Sequence, residues 1–391
     1  MSYDFNKKVD RKGTKSLKYD FAKERGKRED VLPLWVADMD FPTAPEILER
    51  LHQVVSHGIF GYSEGKDDYF LAVQRWYKEH FGWQVESSWL VKTPGVVFAI
   101  AMAVRAFTKE GDAVLIQQPV YYPFSEVIRD NNRVLVNSSL KLTEGHYEID
   151  FEDLEDKIRT NNVKLFLLCS PHNPVGRVWK EWELRKLGAI CLRHGVLVVS
   201  DEIHGDFTYE GHVHNVFANL APEFSDIAVT CTAPSKTFNL AGLQASNIFI
   251  SNSKLRKEFR EAVNAAGYSQ LNLMGLVACQ AAYEKGEPWL KDLKAYLAEN
   301  LNYVREYLKE RLPKIRLVEP EGTYLIWLDF RGLGLTEAQR EDLIVNKARL
   351  WLDSGAMFGV DGEGFERINI ACPRAVLCQA LEQLEKALEL L

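Results

Sequence analysis

Six short apolar runs, spaced through the middle of the chain and separated by segments of a different period, constrain the fold more than any other feature. They are Ala113 to Gln117, Val134 to Asn137, Val163 to Cys169, Gly195 to Ser200, Ile227 to Cys231 and Ser246 to Ile250. Each reads as a strand. Helical spacing fills several of the gaps, at Tyr122 to Asn131, Phe151 to Asn161 and Lys180 to His194. Strands alternating with helices predict an α/β chain, a mostly parallel sheet with helices on both faces. Ligands of such sheets sit beyond the carboxyl ends of the strands, so the residues just past each run carry the functional reading.

On either side of this block the pattern changes. Helices are predicted at Pro45 to His57 and Asp67 to Phe81, separated by the glycine-rich Gly58 to Gly65. From Lys254 onward come long helices (Lys254 to Ala266, Asn272 to Glu284, Pro288 to Leu312), a strand at Tyr324 to Phe330, a helix at Thr336 to Asp353, and a final amphipathic helix after Arg374. The expected division is an arm and part of a small domain in 1–50, a large domain in 51–287, and the rest of a smaller α+β domain in 288–391. A hydrophobic content of 46% over 391 residues is ample for cores of that size. The first thirty residues, basic and interleaved with acids, read as a solvated arm and match neither a secretory signal nor a transit peptide.

Charge and cysteine usage narrow the partners. A formal net charge of -7 argues against a nucleic-acid surface, and no apolar segment approaches a membrane span. The six cysteines show no CxxC and fall mostly in apolar runs, which predicts reduced, buried thiols in a cytoplasmic protein. No metal site is expected.

Four strand ends then deliver an aromatic (Tyr121), an amide (Asn173), a carboxylate (Asp201) and an amine (Lys236) toward one rim. Lys236 lies among small and hydroxylated residues between two strands, where loss of hydration would make it a usable nucleophile toward carbonyls. Upstream, Thr93-Pro94-Gly95-Val96-Val97 joins a strand to a helix start, a geometry whose free N–H groups can hold a phosphate. Each residue also has an ordinary reading: a solvated loop lysine, a helix N-cap for Asp201, an Asn-Pro turn for Asn173, a core tyrosine for Tyr121. Taken together they match what pyridoxal phosphate demands of a protein. Lys236 would form the Schiff base, Asp201 would face the pyridine nitrogen, Asn173 would donate to the ring hydroxyl oxygen, and Tyr121 would stack on the ring.

Four motifs sharpen this: Arg11-Lys12-Gly13-Thr14-Lys15-Ser16-Leu17-Lys18-Tyr19-Asp20, Trp35-Val36-Ala37-Asp38-Met39-Asp40-Phe41, Ser200-Asp201-Glu202-Ile203-His204, and Ser235-Lys236-Thr237-Phe238-Asn239-Leu240-Ala241-Gly242-Leu243-Gln244. With them the chain resembles, over essentially its full length, the fold-type I pyridoxal-phosphate enzymes, and within these the MalY/PatB-type cystathionine β-lyases. The resemblance implies a PLP-dependent transferase-like large domain and a homodimer. It implies the same roles for Lys236, Asp201, Asn173 and Tyr121. Val96, Val97 and Ser235 would hold the phosphate, with Tyr62 reaching the phosphate of the neighbouring subunit. Arg367 would take the substrate α-carboxylate, with Ala37 and Asn173 beside it. His204 stands where many relatives have a tyrosine and is expected to titrate near neutral pH. Gln244 stands where many carry a phosphate-binding arginine. The implied reaction is β-cleavage of cystathionine or related cysteine S-conjugates to thiol, pyruvate and ammonia. Transamination of a neutral or aromatic amino acid, and a regulatory role for a PLP-binding protein, stay open at this stage.

Overall fold

All six apolar runs form strands, with ends shifted by no more than two residues, and a seventh strand precedes them in the computed structural model, which describes residues 3–390. The strands are β1 (Leu90–Thr93), β2 (Ala113–Ile116), β3 (Val134–Asn137), β4 (Leu165–Cys169), β5 (Leu197–Asp201), β6 (Ala228–Thr232) and β7 (Ser246–Phe249), in the spatial order β1-β7-β6-β5-β4-β2-β3. The strands β2 to β6 pair in parallel, whereas β7 is antiparallel to both β6 and β1. The reason lies in the connection. Only Ala233 to Ala245 joins β6 to β7, with room for a single helical turn and no full crossover helix, so the chain doubles back beside β6.

The period of two along each strand divides the interior into two cores. Phe166, Leu168 and Val198 enter one, with Leu154, Leu184 and Leu187 from the helices Phe151–Thr160 and Glu181–His194. Leu165, Leu167, Val199 and Val229 enter the other, with Ala99, Ala103 and Phe259 from the helices Val96–Phe107 and Ser253–Ala265. Helices therefore cover both faces, as predicted. In the central register Cys169 lies opposite Asp201, and Asp201 opposite Cys231, so β4, β5 and β6 end together. The loops that leave them emerge side by side.

A second, antiparallel sheet of four strands is built from Arg316–Val318, Leu325–Asp329, Phe365–Asn369 and Asp353–Ser354. The 25-residue helix Glu287–Arg311 and the last helix, Arg374–Leu388, accompany it in sequence. The helix predicted for Thr336 to Asp353 is a correction. Helical turns stop at Lys347, Arg349 takes a left-handed conformation (φ 55°), and Leu350–Trp351 pairs in parallel with Leu32–Pro33. There Trp351 stacks on Trp35, with ring centroids 4.3 Å apart. A tertiary pairing more than three hundred residues distant in sequence overrides the local period.

The solvated-arm reading also needs correction. Most of the first thirty side chains are exposed, but Lys18 is fully buried, its Nζ 3.0 Å from Asp40 Oδ2, and Arg11 reaches Asp38 at 2.6 Å and Asp40 at 2.7 Å. Those cations pin residues 38–40 in place. Among the described residues no helix is long and apolar enough to cross a membrane, and all six cysteines are unpaired, five of them buried.

Arg177 joins three distant segments. Its guanidinium lies 3.0 Å from Glu183 and 2.8 Å from Glu321, and also donates to the Tyr147 carbonyl, all of it buried. Replacing it with methionine would strand two buried carboxylates, at a cost of about 3–5 kcal/mol. The Arg177→Met chain is expected to unfold at a clearly lower denaturant concentration than the parent, measured by tryptophan fluorescence.

Candidate active site

Beyond the ends of β4, β5 and β6 lies a cavity of about 260 Å³, lined by Lys236, Asp201, Asn173, Tyr121, His204, Ser235, Ala37 and the Gly95 to Phe98 turn, among others. Eleven of the twelve residues singled out in the sequence lie at or directly behind one cavity. The exception is Tyr62.

Lys236 sits in a one-turn helix, Pro234–Thr237, where an open turn was expected. Its Nζ donates to the Ala37 carbonyl at 3.2 Å. Burial, aided by the nearby Arg367 charge and opposed by Asp38 and Asp201, pushes its pKa down to about 8. An appreciable fraction is therefore a free amine near neutrality, which the solvated-lysine alternative would not give. The turn is anchored by Thr237, whose hydroxyl donates to Asp206 at 2.6 Å.

Asp201 is the last residue of β5 and caps no helix. Its Oδ1 accepts the Ile203 N–H at 3.2 Å. Burial, with a smaller contribution from Glu202, pushes the pKa up to about 7, against the Ile203 N–H and the Lys236 charge. A carboxylate so placed calls for a cationic or N–H partner from within the cavity.

Asn173 is tied at three points. Its carbonyl accepts the Tyr121 N–H at 3.0 Å, its own N–H donates to Cys169 Sγ at 3.4 Å, and its Oδ1 accepts from Arg367 at 3.0 Å. The Nδ2 group has no partner among the described residues and remains free to donate. Burial raises the Tyr121 phenol pKa and keeps it neutral. His204 departs from expectation: burial first, then the Lys236 and Arg367 charges, drive its pKa well below 6.5, so the ring is neutral rather than titrating near pH 7. Its Nδ1 is buried without a partner.

Val96 and Val97 open the helix Val96–Phe107, whose first internal bond runs from the Ala99 N–H to the Gly95 carbonyl. The N–H groups before it point out of the helix unsatisfied, and they attract anions. Gly95 lines the cavity, and nothing lies within 4 Å of where a Cβ would be. Gln244 lines it too and brings no charge.

Arg367 does not line the cavity but stands behind Asn173. It donates to Asn173 and to the Trp35 carbonyl, pairs with buried Asp353, and lies over the Phe358 ring at 4.9 Å. Its ion pair is buried and not at the surface. Tyr62 is fully exposed on the Gly58 to Gly65 segment. It borders a separate cleft of about 470 Å³ that shares Pro94 and Gln244 with the cavity.

Sequence reasoning missed three supports. Tyr324 donates to the Ala37 carbonyl at 2.9 Å and meets His204 edge-on; Asn369 donates to the Val36 and Asp38 carbonyls at 2.8 and 2.7 Å. Asn239, with φ 57°, accepts the Met39 N–H and donates to the Met39 and Phe41 carbonyls. For Tyr324 and Asn369 the only signal was a polar residue at the end of an apolar strand, while Asn239 stood in the lysine motif without an assigned role.

A lysine that is partly free amine, a buried carboxylate short of a donor and an anion-attracting helix start surround one space. They suit a ligand that carries a carbonyl, a protonated ring nitrogen and a phosphate. The chain belongs to the aminotransferase class I and II family, whose model matches residues 29–384. It is 45% identical to the cystathionine β-lyase PatB of Bacillus subtilis (strain 168), over 98% of this chain and 100% of that protein. Protein MalY of Escherichia coli (strain K12) is 35% identical, over 99% of both chains. Cystalysin from Treponema denticola, solved with a pyridoxal 5'-phosphate cofactor, superposes with a TM-score of 0.96 at 40% identity, covering 100% of this chain and 99% of that one.

The raised Asp201 pKa has a sign that can be checked in cofactor-free protein. An acid whose folded pKa is about 7 against an ordinary 3.8 costs stability as pH climbs from roughly 4 to 7, and the full cost persists above 7. Asp201→Asn should therefore melt at a higher temperature than the parent at pH 8 and at the same temperature near pH 3.5, by scanning calorimetry.

Proposed function

We propose that this chain is a pyridoxal 5'-phosphate-dependent carbon–sulfur β-lyase that cleaves L-cystathionine and related cysteine S-conjugates to a thiol, pyruvate and ammonia. The observation that carries the reading is Lys236, a lysine of lowered pKa sharing one cavity with Asp201, in a chain 45% identical to a cystathionine β-lyase.

The cofactor, when bound, supplies an electron sink for the charge left at the substrate α-carbon. Lys236 would hold the cofactor covalently, and its freed Nζ would take the substrate α-proton, a use that a pKa near 8 suits. Asp201 would keep the ring nitrogen protonated by offering a buried carboxylate. Asn173 Nδ2 would donate to the ring hydroxyl oxygen, and the neutral imidazole of His204 would offer a further polar contact. Tyr121 would stack on the ring. Val96, Val97 and Ser235 hold the phosphate. Arg367 would receive the α-carboxylate from behind Asn173, with Ala37 among the residues that line the cavity.

The same reading brings a homodimer, in which Tyr62 serves the neighbouring subunit. Its support is the exposed apolar run beside it, since Ile59 and Phe60 are 66% and 62% exposed. It also keeps the division into 1–50, 51–287 and 288–391, with the arm attached to the smaller domain. Unpaired, mostly buried thiols fit a cytoplasmic setting.

Purified protein given L-cystathionine is expected to release pyruvate and free thiol with no keto acid added. A requirement for a keto acid would make it a transaminase instead. Lys236→Ala should lose the visible cofactor band and about a thousandfold or more of turnover. Tyr62→Phe should retain its cofactor less well on dialysis while staying dimeric by light scattering; full activity in a monomer would remove the basis for that role.

A further inference from the structure

A second cavity, of about 360 Å³, opens where the helix Asp67–Phe81, the loop 205–214 and the start of the helix Glu287–Arg311 meet, and it shares no lining residue with the site above. Its chemistry is unusually specific. Lys291 and Lys294 stand one helical turn apart on its wall, and neither ammonium has a hydrogen-bond or ion-pair partner among the described residues. Burial lowers the proton affinity of Lys294, with Asp206 opposing. Adjoining it is a void of about 20 Å³ that also borders Tyr209, whose hydroxyl is buried without a partner.

The opposite charge is present as well. Glu287 is exposed at the rim, its only ionic neighbour among the described residues being His80 Nε2 at 3.9 Å. Asp206 already accepts from Trp76 Nε1 at 3.1 Å and from Thr237 Oγ1 at 2.6 Å. The lining thus carries both signs, Lys291 and Lys294 with Asp206 and Glu287, alongside His80, His212 and His214. A dianion would face the acids and a simple cation the lysines, whereas a molecule bearing both signs satisfies both. Phe81, Val213 and Leu290 add apolar surface to the lining.

We infer that this cavity binds a small apolar amino acid as its zwitterion. The carboxylate lies against Lys291 and Lys294, the ammonium against Glu287, and the side chain against Phe81, Val213 and Leu290. Amino-acid size suits the volume, and charge-assisted bonds to two lysines supply the orientation. The site does not depend on the reaction proposed above. It lies close to it, however, because Asp206 borders this cavity and holds Thr237, the residue after Lys236.

The test is calorimetric titration of the holoenzyme with L-norleucine, an apolar amino acid without a β-leaving group, while the cofactor absorbance is followed. A binding event that leaves the absorbance unchanged is expected. It should weaken about tenfold or more in Lys294→Met, recover in Lys294→Arg, and vanish in Val213→Trp, where a bulky ring at a 75% exposed wall position fills the cavity without disturbing the core. The inference is overturned if every bound norleucine changes the absorbance, or if Lys294→Met and Val213→Trp bind as the parent does.

Discussion

The site depends on holding an amine and a carboxylate out of water without letting them neutralise each other. Lys236 and Asp201 leave the ends of adjacent strands and share a cavity, yet no ion pair joins them, and each pays for desolvation with a pKa moved toward neutrality. Such an arrangement persists only when the surrounding structure is stable enough to impose it. Two cores supply that stability, one on each face of the sheet, and the strands that end at the site are buried on both sides. Uncoupled, each group would turn to water or to the other, and the cavity would hold a salt bridge instead of two reactive ends.

The second constraint is the strap of residues 35–41. It has no regular hydrogen-bonded structure of its own, so its carbonyls must find donors elsewhere. Side chains supply them. Arg367 serves Trp35, Asn369 serves Val36 and Asp38, Lys236 and Tyr324 serve Ala37, and Arg11 and Asn239 serve Met39. Those donors come from the N-terminal arm, from the lysine turn and from the second sheet. One short segment thus fixes the relative position of three parts of the chain, and its middle carbonyl touches the reactive amine. The buried Lys18 and the Arg11 cluster make sense in that light, since they lock Asp38 and Asp40 on the outer side of the strap.

This division explains what could be read from the sequence. Strand identity was legible because buried parallel strands leave dense apolar runs, and Tyr121, Asn173, Asp201 and Lys236 were legible because a parallel sheet gathers its loops at one edge. The antiparallel turn of β7 was not, since it follows from the length of one connection. Nor was the neutrality of His204, which depends first on burial and then on two cations, all of them products of folding. The burial of Lys18, the pairing of Leu350–Trp351 with Leu32–Pro33, and the placement of Arg367 behind Asn173 all rest on contacts across 20 to more than 300 residues. No local pattern encodes them. Tyr324 and Asn369 were passed over for the same reason: at strand ends they look like ordinary β residues.

Arg367 gives the arrangement its direction. As the chain stands, its charge helps depress the pKa of Lys236, although Asp353 pairs with it from the far side. On the proposed reading the substrate carboxylate arrives at this guanidinium and cancels part of that positive potential. The free Lys236 amine would then gain proton affinity when it must accept the α-proton. A substrate analogue without the carboxylate would bring no such change. On that reading the residue that recognises the substrate would also set the basicity of the group that acts on it, through a Coulomb interaction that the buried Phe358 and Trp35 beside Arg367 leave poorly screened.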